Sequence, residues 1–229
     1  NYNFSDLDIL AENTFTGARS AWRMLGNYRE FMSEDTLLSG GATVGTYTSE
    51  TNVVGSGDFN GDGNIDIISQ NSSTGVVSVW FMNGNALSTT QTLTTTAATT
   101  SVSGIADFNG DGTLDLLLDD SSSGLKNVIF LTGSGSSLSA GSTVNIETNT
   151  GYRIVGAADF NGDSQADILV EQTTSSSDPL TAVSREIWIM SGTTKISSSV
   201  FLSFAQEWSM QGVGDFDNDG NIDIMVEQT

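Results

Sequence analysis

The chain has 229 residues, with 28 acidic and 7 basic side chains and a formal net charge of −21. So acidic a protein repels phosphate backbones and anionic membrane surfaces, which excludes nucleic-acid binding. Cysteine and histidine are absent, so disulfides, thiolate metal sites and cysteine or histidine catalysis are excluded. No apolar run approaches the roughly 18 residues that span a membrane, which argues against membrane insertion.

Four similar acidic segments organise the chain. In chain order they are GDFNGDGNIDI from Gly57, ADFNGDGTLDL from Ala106, ADFNGDSQADI from Ala158 and GDFDNDGNIDI from Gly214. Their first aspartates lie 49, 52 and 56 residues apart, a period that fits a four-stranded propeller blade. We therefore predict a single repeat domain, 1–229, with a partial repeat 1–50, repeats 51–99, 100–150 and 151–207, and a partial repeat 208–229.

Each repeat predicts four strands separated by turns rich in Gly, Asn and Ser. In the first complete repeat the strands are VVGSGDF, IDIISQ, VVSVWFM and LSTTQTLTTT. The third strand is apolar on both faces, with Val77, Val79 and Phe81 on one and Val76, Trp80 and Met82 on the other. Such a strand is covered on both sides. The predicted fold is all-β, a β-propeller of about four to five four-stranded blades of roughly 50 residues.

Two segments depart from the regular pattern. Residues 21–38 resemble an amphipathic helix, but their register with the third strands of the other repeats favours a strand. The third repeat carries an insertion near residues 173–183, which contains Pro179 and is expected to form a long exposed loop. Because the chain begins at Asn1 rather than Met, we expect a processed form or a fragment.

The acidic segments have the composition of calcium-binding loops. In the nine residues from Asp58 to Asp66, side-chain oxygens occur at positions 1, 3, 5 and 9. Calcium takes six to eight hard oxygen ligands, and the backbone carbonyl at position 7 and water can complete that shell. Gly63 at position 6 permits the positive φ of a sharp turn. The apolar residue at position 8, Ile65 in this loop, is expected to anchor the loop to the core.

The same donor positions recur in all four acidic segments, which predicts four sites and about four Ca²⁺ ions. The candidate ligands are Asp58, Asn60, Asp62, Asn64 and Asp66; Asp107, Asn109, Asp111, Thr113 and Asp115; Asp159, Asn161, Asp163, Gln165 and Asp167; and Asp215, Asp217, Asp219, Asn221 and Asp223. In the third loop Ser164 replaces the glycine at position 6, so this site should be the weakest. In the fourth loop Asp217 adds a carboxylate, which should tighten binding.

Two alternatives compete with a calcium-binding loop. A helical EF-hand loop closes its shell with Glu at position 12, whereas position 12 is Ser69, Leu118, Val170 and Val226 here. Metal-free turns rich in Asn and Asp are the other alternative. Against it, the loops hold 13 of the 28 acidic residues, which would repel one another. Four bound Ca²⁺ ions, each adding two charges, would change the formal charge from −21 to −13.

The motif G-D-F-N-G-D-G-x-x-D-I, followed by a strand and W-x-M-N-G, closely resembles the FG-GAP/VCBS repeats of integrin-α-type propellers and bacterial surface proteins. The resemblance covers essentially the whole chain. It implies a calcium-stabilised β-propeller with the metal between the first two strands of a blade. It also implies an extracellular or cell-surface location. Three possibilities stay open for the ring: a fragment, closure by joining the chain ends, or combination of several chains.

Aromatic and basic positions give further candidates. Trp22, Trp80 and Trp188 share one repeat position and are interpreted as packing between blades, because Ile129 replaces them in one repeat. A second shared position holds Tyr152 and Trp208 in two repeats, which makes these two weak candidates for ligand binding. The first repeat holds Arg19, Arg23 and Arg29 among several acids, interpreted as a solvated face, with a subunit-docking surface as the alternative.

The sequence therefore predicts a non-enzymatic, extracellular calcium-binding module for structure, adhesion or assembly. No catalytic residues are assigned, because no nucleophile and base can be assembled without His or Cys. The expected partner is a protein or glycan at the cell surface, or a second copy of the chain. A lectin is the main alternative, and a polysaccharide-active enzyme with paired carboxylates is a less favoured one.

Overall fold

In the computed structural model, the backbone is described for residues 8–13, 18–24, 38–46, 50–84, 86–173, 182–205, 208–216 and 219–228. Side chains are described for residues 50–84, 86–173, 182–200, 210, 212–216 and 219–227. The regular secondary structure of these residues is entirely β. In the part of the chain described, no helix is long and apolar enough to cross a membrane.

In the described residues, seventeen strands form five antiparallel sheets, numbered here I to V. Sheet I contains β1 (Asp8–Asn13), β2 (Ala18–Met24) and β3 (Leu38–Thr46). Sheet II contains β4 (Thr51–Gly57), β5 (Asp66–Asn71), β6 (Val76–Asn83) and β7 (Ala86–Thr95). Sheet III contains β8 (Thr100–Ala106), β9 (Asp115–Asp120), β10 (Leu125–Ser134) and β11 (Ser137–Thr148). Sheet IV contains β12 (Tyr152–Ala158), β13 (Asp167–Gln172), β14 (Ala182–Ser191) and β15 (Thr194–Ala205), and sheet V contains β16 (Trp208–Gly214) and β17 (Asp223–Gln228).

Within each sheet the strands pair with their neighbours in chain order. The four strands predicted for the first complete repeat are confirmed as β4 to β7. The segment predicted as a strand from residue 21 is confirmed as far as Met24, and residues 25–37 lie outside the described part. Most of the predicted loop insertion, residues 174–181, also lies outside it. Successive sheets adjoin through their first strands, because β8 contacts β4 and β12, and β12 contacts β16.

The complete sheets bury apolar side chains on both faces. Between sheets II and III the shared cluster includes Phe59, Ile68, Val77, Val79, Phe81, Val102, Leu116, Leu118, Ile129, Leu131 and Leu138. On β9, Leu116 and Leu118 join this cluster, whereas Leu117 joins the one shared with sheet IV. Trp80 and Met82 pack on the opposite face of sheet II. The prediction of a third strand covered on both sides is therefore confirmed.

The first strands of sheets II to V each carry a register shift at a glycine, and in sheets II to IV a side chain of the next sheet lies close to this glycine. The shifts precede Gly55, Gly104, Gly156 and Gly212 in sheets II to V. A Cβ added at Gly55 would overlap Cδ1 of Ile105 on β8, and one at Gly156 would lie 2.9 Å from Cγ2 of Val213 on β16. Glycine at this position thus allows neighbouring sheets to pack closely.

Gly55→Ala should destabilise the protein by about 1 to 3 kcal/mol, because Ile105 would have to leave its place in the interface. Gly212→Ala is the matched control, since a Cβ there would meet no described atom within 4 Å. Urea denaturation of both variants tests the difference. Equal stability of the two variants would contradict this account of sheet packing.

A polar position near the end of each second strand faces the third strand. The register pairs are Gln70–Val77 in sheet II, Asp119–Lys126 in sheet III and Glu171–Arg185 in sheet IV. Two of these polar side chains also reach the next sheet: Gln70 Oε1 accepts the Val102 N–H at 3.0 Å, and Asp119 Oδ2 accepts the Ile154 N–H at 2.7 Å. Each of the two therefore links neighbouring sheets.

The Asp119–Lys126 pair is buried and charged. Lys126 has a side chain that is 0% exposed, and its Nζ donates to Asp119 Oδ1 at 2.9 Å and to the Asn149 carbonyl at 3.0 Å. Removing one member of such a pair leaves an uncompensated buried charge, whereas replacing both by a neutral pair is often tolerated. Sheet II provides that neutral pair naturally, as Gln70 and Val77.

Lys126→Val alone should therefore lower the free energy of unfolding by about 3 to 5 kcal/mol. The double variant Asp119→Gln, Lys126→Val reproduces the pair of sheet II and should recover most of that loss. Urea denaturation of the wild type, both single variants and the double variant gives the coupling. Additive losses in the double variant would show that the ion pair is not what stabilises this position.

Candidate metal centres

The acidic loops connect the first and second strands of sheets II to V. In the first loop, Asp58 Oδ1 accepts the N–H groups of Gly61 at 2.7 Å and Asp62 at 3.1 Å, and its Oδ2 accepts that of Gly63 at 2.9 Å. Asp107 and Asp159 make the same three bonds in the next two loops. The carboxylate at position 1 thus holds the loop closed on itself.

The side chains at positions 3 and 5 are exposed and bonded to each other. Asn60 Oδ1 accepts the Asp62 N–H at 2.8 Å, and Asn60 Nδ2 donates to Asp62 Oδ2 at 2.9 Å. Asp62 Oδ1 accepts the Asn64 N–H at 2.7 Å, and this bond contributes most to lowering the pKa of Asp62. Asp111 and Asp219 have lowered pKa values for the same reason, a bond from the N–H at position 7.

The aspartate at position 9 has a different environment. Asp66, Asp115 and Asp167 are 0% exposed. In the second loop, Asp115 Oδ2 accepts the Phe108 N–H at 2.9 Å and Oδ1 accepts the Leu131 N–H on β10 at 3.0 Å. Asp66 and Asp167 make the equivalent two bonds. This carboxylate therefore joins the start of the loop to the third strand.

Burial disfavours the charged form of these aspartates and raises their pKa values, in the case of Asp115 to about 6. The neighbouring carboxylates at positions 1 and 5 add to the increase, for Asp66 through Asp62 and Asp58. Three negative groups of one loop thus lie near enough to repel one another. A cation would relieve that repulsion.

The side chain at position 7 accepts a hydrogen bond that the sequence did not predict. The sequence assigned only the backbone carbonyl of this position, as a metal ligand. Asn64 Oδ1 accepts the Gly84 N–H at 2.9 Å, and Gln165 Oε1 accepts the Gly192 N–H at 2.9 Å. Both glycines lie in the turn between the third and fourth strands. The available signal was an amide side chain at position 7, which lies 20 residues before this glycine in the first repeat and 27 residues before it in the third, where the insertion lengthens the spacing.

At position 8 the expectation of a core anchor fails in the first loop, where Ile65 is 51% exposed. Phe59 and Phe108, at position 2, are 3% exposed and belong to the inter-sheet clusters. The phenylalanine is buried because it points into the neighbouring sheet. The prediction is confirmed in the next two loops, where Leu114 packs against the cluster shared by sheets II and III and Ala166 is buried in the cluster shared by sheets III and IV.

Position 6 has a positive φ in all four loops. The values are 83° at Gly63, 84° at Gly112, 66° at Ser164 and 88° at Gly220. Ser164 is the one non-glycine residue with positive φ among the residues described. Ser164, the residue at which the third loop was predicted to differ, therefore adopts the left-handed conformation. This conformation costs an L-amino acid roughly 1–2 kcal/mol.

Ser164→Gly should stabilise the protein by up to about 1 kcal/mol, since relief of strain outweighs the added flexibility of the unfolded chain. Gly112→Ser is the reciprocal control and should destabilise it, because a Cβ there meets no described atom within 4 Å and only φ opposes it. Thermal melts of both variants test the sign. A stabilising Gly112→Ser would contradict the argument.

The fourth loop is described in part. Asp215 Oδ1 accepts the Asp219 N–H at 3.0 Å, its Oδ2 accepts the Gly220 N–H at 2.9 Å, and Asp223 Oδ2 accepts the Phe216 N–H at 3.0 Å. Asn221, at position 7, donates its N–H to Asp219 Oδ1 at 2.8 Å. These bonds match those of the other loops. Asp217, the predicted extra carboxylate, lies outside the described residues.

The predicted ligands of each loop lie within nine consecutive residues, but the described carboxylates of a loop do not gather around one point. In the described ranges, no group of three or more acidic side chains lies close enough together to hold a metal ion. The carboxylate at position 1 instead accepts N–H groups of its own loop, and the one at position 9 accepts two backbone N–H groups. At position 7, the N–H groups of Thr113 and Gln165 donate to Asp111 and Asp163 at 2.8 Å, and the carbonyl groups of these residues stay predicted ligands.

The donor chemistry nevertheless fits a hard cation. Every candidate donor is an oxygen atom, the type that calcium prefers. Among described side chains, the ion pairs join Lys126 to Asp119, Arg153 and Arg185 to Glu171, and Lys195 to Glu147. None of these pairs involves a carboxylate of the first three loops. The negative charge of these three loops is therefore not balanced by a basic side chain in the described part of the chain.

The aromatic candidates lie apart from the loops' carboxylates. Trp80 and Trp188 are 1% exposed, in agreement with packing between sheets. Tyr152 is half-buried; its hydroxyl donates to Glu186 at 2.5 Å, which raises its pKa to about 12, and its ring meets Trp188 edge-on at 6.0 Å. Lys195 Nζ lies 4.1 Å from the centre of the Trp188 ring. The side chains of Trp22 and Trp208 lie outside the described set.

Comparison with known families finds a match for part of the chain. Residues 58–118 match the family model described as FG-GAP-like repeat. This segment, which holds the first two acidic loops, is similar to the FG-GAP-like repeat. Comparisons with curated proteins and with solved structures found no match. The match of this segment agrees with the resemblance seen in the sequence and with the all-β repeat structure.

Proposed function

We propose that this protein is a calcium-binding β-propeller module that serves a structural, adhesive or assembly role outside the cell. The observation that carries the proposal is the recurrence of one loop conformation, with three carboxylates and, in the first three loops, no basic counter-charge among the described side chains. The FG-GAP-like repeat supports a propeller-type arrangement of the sheets. The packing of successive sheets through their first strands is compatible with that arrangement.

In each loop, the side chains at positions 1, 3 and 5, the carbonyl at position 7 and the carboxylate at position 9 would hold the ion. Bound calcium supplies charge neutralisation and cross-links the loop. The chain's own residues supply the frame: Asp115 ties the loop to β10, and the buried Phe108 fixes it against sheet IV. The cation would thus stabilise the end of each sheet where the first two strands meet.

An extracellular setting suits such sites. Extracellular modules bind calcium with dissociation constants of about 10⁻⁴–10⁻³ M, matched to the calcium concentration outside cells. The role is proposed to be non-catalytic, with a protein or glycan at the cell surface, or another copy of the chain, as the partner. The buried Trp80 and Trp188 and the engaged hydroxyl of Tyr152 give no observation that favours the lectin alternative.

Metal analysis and thermal melts of the intact chain, with calcium or with excess chelator, test the proposal. We expect about four ions per chain and a clear rise in Tm with calcium, because a ligand at 100 times its dissociation constant stabilises by about 2.7 kcal/mol per site. Magnesium at the same concentration should give a smaller rise, since it dehydrates reluctantly. Absence of bound calcium and an unchanged Tm would overturn the calcium proposal.

Asp111→Asn isolates one site. The amide oxygen of the variant can still accept the Thr113 N–H, so the stability measured in chelator should stay unchanged. The calcium stoichiometry should fall by one, and part of the calcium-induced rise in Tm should be lost. Asp120→Asn is the matched control, because it removes the same charge outside the loops and reproduces Asn71 of sheet II, which caps the same turn. An equal loss of calcium in both variants would exclude a specific role of Asp111.

A further inference from the structure

Four asparagines of the chain are each followed by glycine, a dipeptide in which the asparagine side chain readily loses ammonia. They are Asn60, Asn83, Asn109 and Asn161. In this reaction the glycine nitrogen attacks the side-chain carbonyl carbon of the asparagine, and glycine has no Cβ to obstruct that approach. Because the dipeptide is the same at all four places, the folded structure decides which asparagine reacts.

The asparagines at position 3 of the acidic loops are held at both atoms of the side-chain amide. Asn60 Oδ1 accepts the Asp62 N–H at 2.8 Å, and its Nδ2 donates to Asp62 Oδ2 at 2.9 Å. The attacking nitrogen is also held, since the Gly61 N–H donates to Asp58 Oδ1 at 2.7 Å. The negative charge of that carboxylate opposes removal of the Gly61 proton. The asparagines of the second and third loops have the same three bonds.

The side chain of Asn83 has none of these restraints. Asn83 is the last residue of β6, its side chain is exposed, and no described residue forms a hydrogen bond with that side chain. The next residue, Gly84, is exposed and has a φ of 57°. Its N–H donates to a neutral acceptor, Oδ1 of Asn64, at 2.9 Å. A neutral oxygen does not oppose loss of the proton as a carboxylate does.

We propose that Asn83 is a site of spontaneous deamidation, with water as the co-reactant. The Gly84 nitrogen forms a bond to Cγ of Asn83, the bond from Cγ to Nδ2 breaks, and the Gly84 proton leaves with the amide group as ammonia. Water then opens the succinimide ring. Opening at Cγ gives aspartate, and opening at the main-chain carbonyl carbon gives isoaspartate. This modification goes beyond the proposed function and does not depend on the cation.

The isoaspartate product detaches the first acidic loop from the turn between β6 and β7. In isoaspartate the main chain runs through Cβ and Cγ, so one methylene is added before the Gly84 nitrogen. The longer main chain displaces the Gly84 N–H from Oδ1 of Asn64, which is position 7 of the loop. Chemical ageing at this turn therefore loosens the loop.

Sheet IV provides a matched control variant. Its corresponding turn has Ser191 before Gly192, and the Gly192 N–H makes the same kind of bond, to Gln165 Oε1 at 2.9 Å. Asn83→Ser thus reproduces a turn that the chain already uses and removes the reactive amide. Asn83→Asp carries the charge of the aspartate product without the longer main chain.

The full chain is incubated at neutral pH in chelator, both native and in urea, and is then digested. Mass spectrometry of the peptides measures the replacement of NH2 by OH at each asparagine. In the native chain, Asn83 should react about tenfold faster than the loop asparagines, because their side chains must first break hydrogen bonds. In urea the four rates should become similar. The purified isoaspartate form should melt at a lower temperature than Asn83→Asp, and Asn83→Ser should form no isoaspartate at this turn.

Two results would overturn the proposal. One is a loop asparagine that reacts as fast as Asn83 in the native chain. The other is an equally strong preference for Asn83 in urea, which would assign the difference to the neighbouring sequence and not to the fold. An isoaspartate form that melts at the same temperature as Asn83→Asp would overturn the link between this turn and the first loop. Because chelator is present throughout, none of these results depends on calcium binding.

Discussion

The buried carboxylate at position 9 of the first three loops is the interaction on which the rest of the structure depends. Asp115 has no exposed surface, and its two oxygens accept backbone N–H groups from the loop and from the third strand. It therefore fixes the loop, the second strand and the third strand relative to one another. Its burial raises its pKa to about 6. The free-energy cost of desolvating this carboxylate is offset by its two hydrogen bonds, which satisfy backbone N–H groups for which the loop offers no other acceptor.

The remaining loop residues act within this frame. The position 1 carboxylate binds N–H groups of the loop, and the position 5 carboxylate stays exposed and binds the N–H at position 7. The loop thus has a stable hydrogen-bonded form while it carries an uncompensated negative charge on its outer side. A module built this way is folded through its sheets, and the proposed cation would bind at its loops. Calcium would then modulate stability at one end of each sheet and leave the inter-sheet core unchanged.

The packing of successive sheets explains why the repeats differ where they do. Apolar residues at alternate positions of β9 serve two different interfaces, so both faces must match a neighbour. Glycine at the register shift allows the first strands to approach, and the adjacent side chain varies from Ile105 to Ala157 and Val213 to fill the space. The polar pair at the end of the second strand varies from Gln70–Val77 to Asp119–Lys126. Each substitution is compensated locally, so the repeat tolerates it.

The sequence by itself determined the repeat register, the all-β class and the strand order, because periodic acidic turns and alternating apolar residues are local signals. It also identified the strained position at Ser164, since φ in a tight turn depends on its own residues. Only the tertiary structure decided which residues anchor the loops. Phe59 is buried and Ile65 is exposed because a neighbouring sheet covers one and not the other. The bond from Asn64 to Gly84, and the ties from Asp119 and Gln70 to the next sheet, join residues that no local pattern relates.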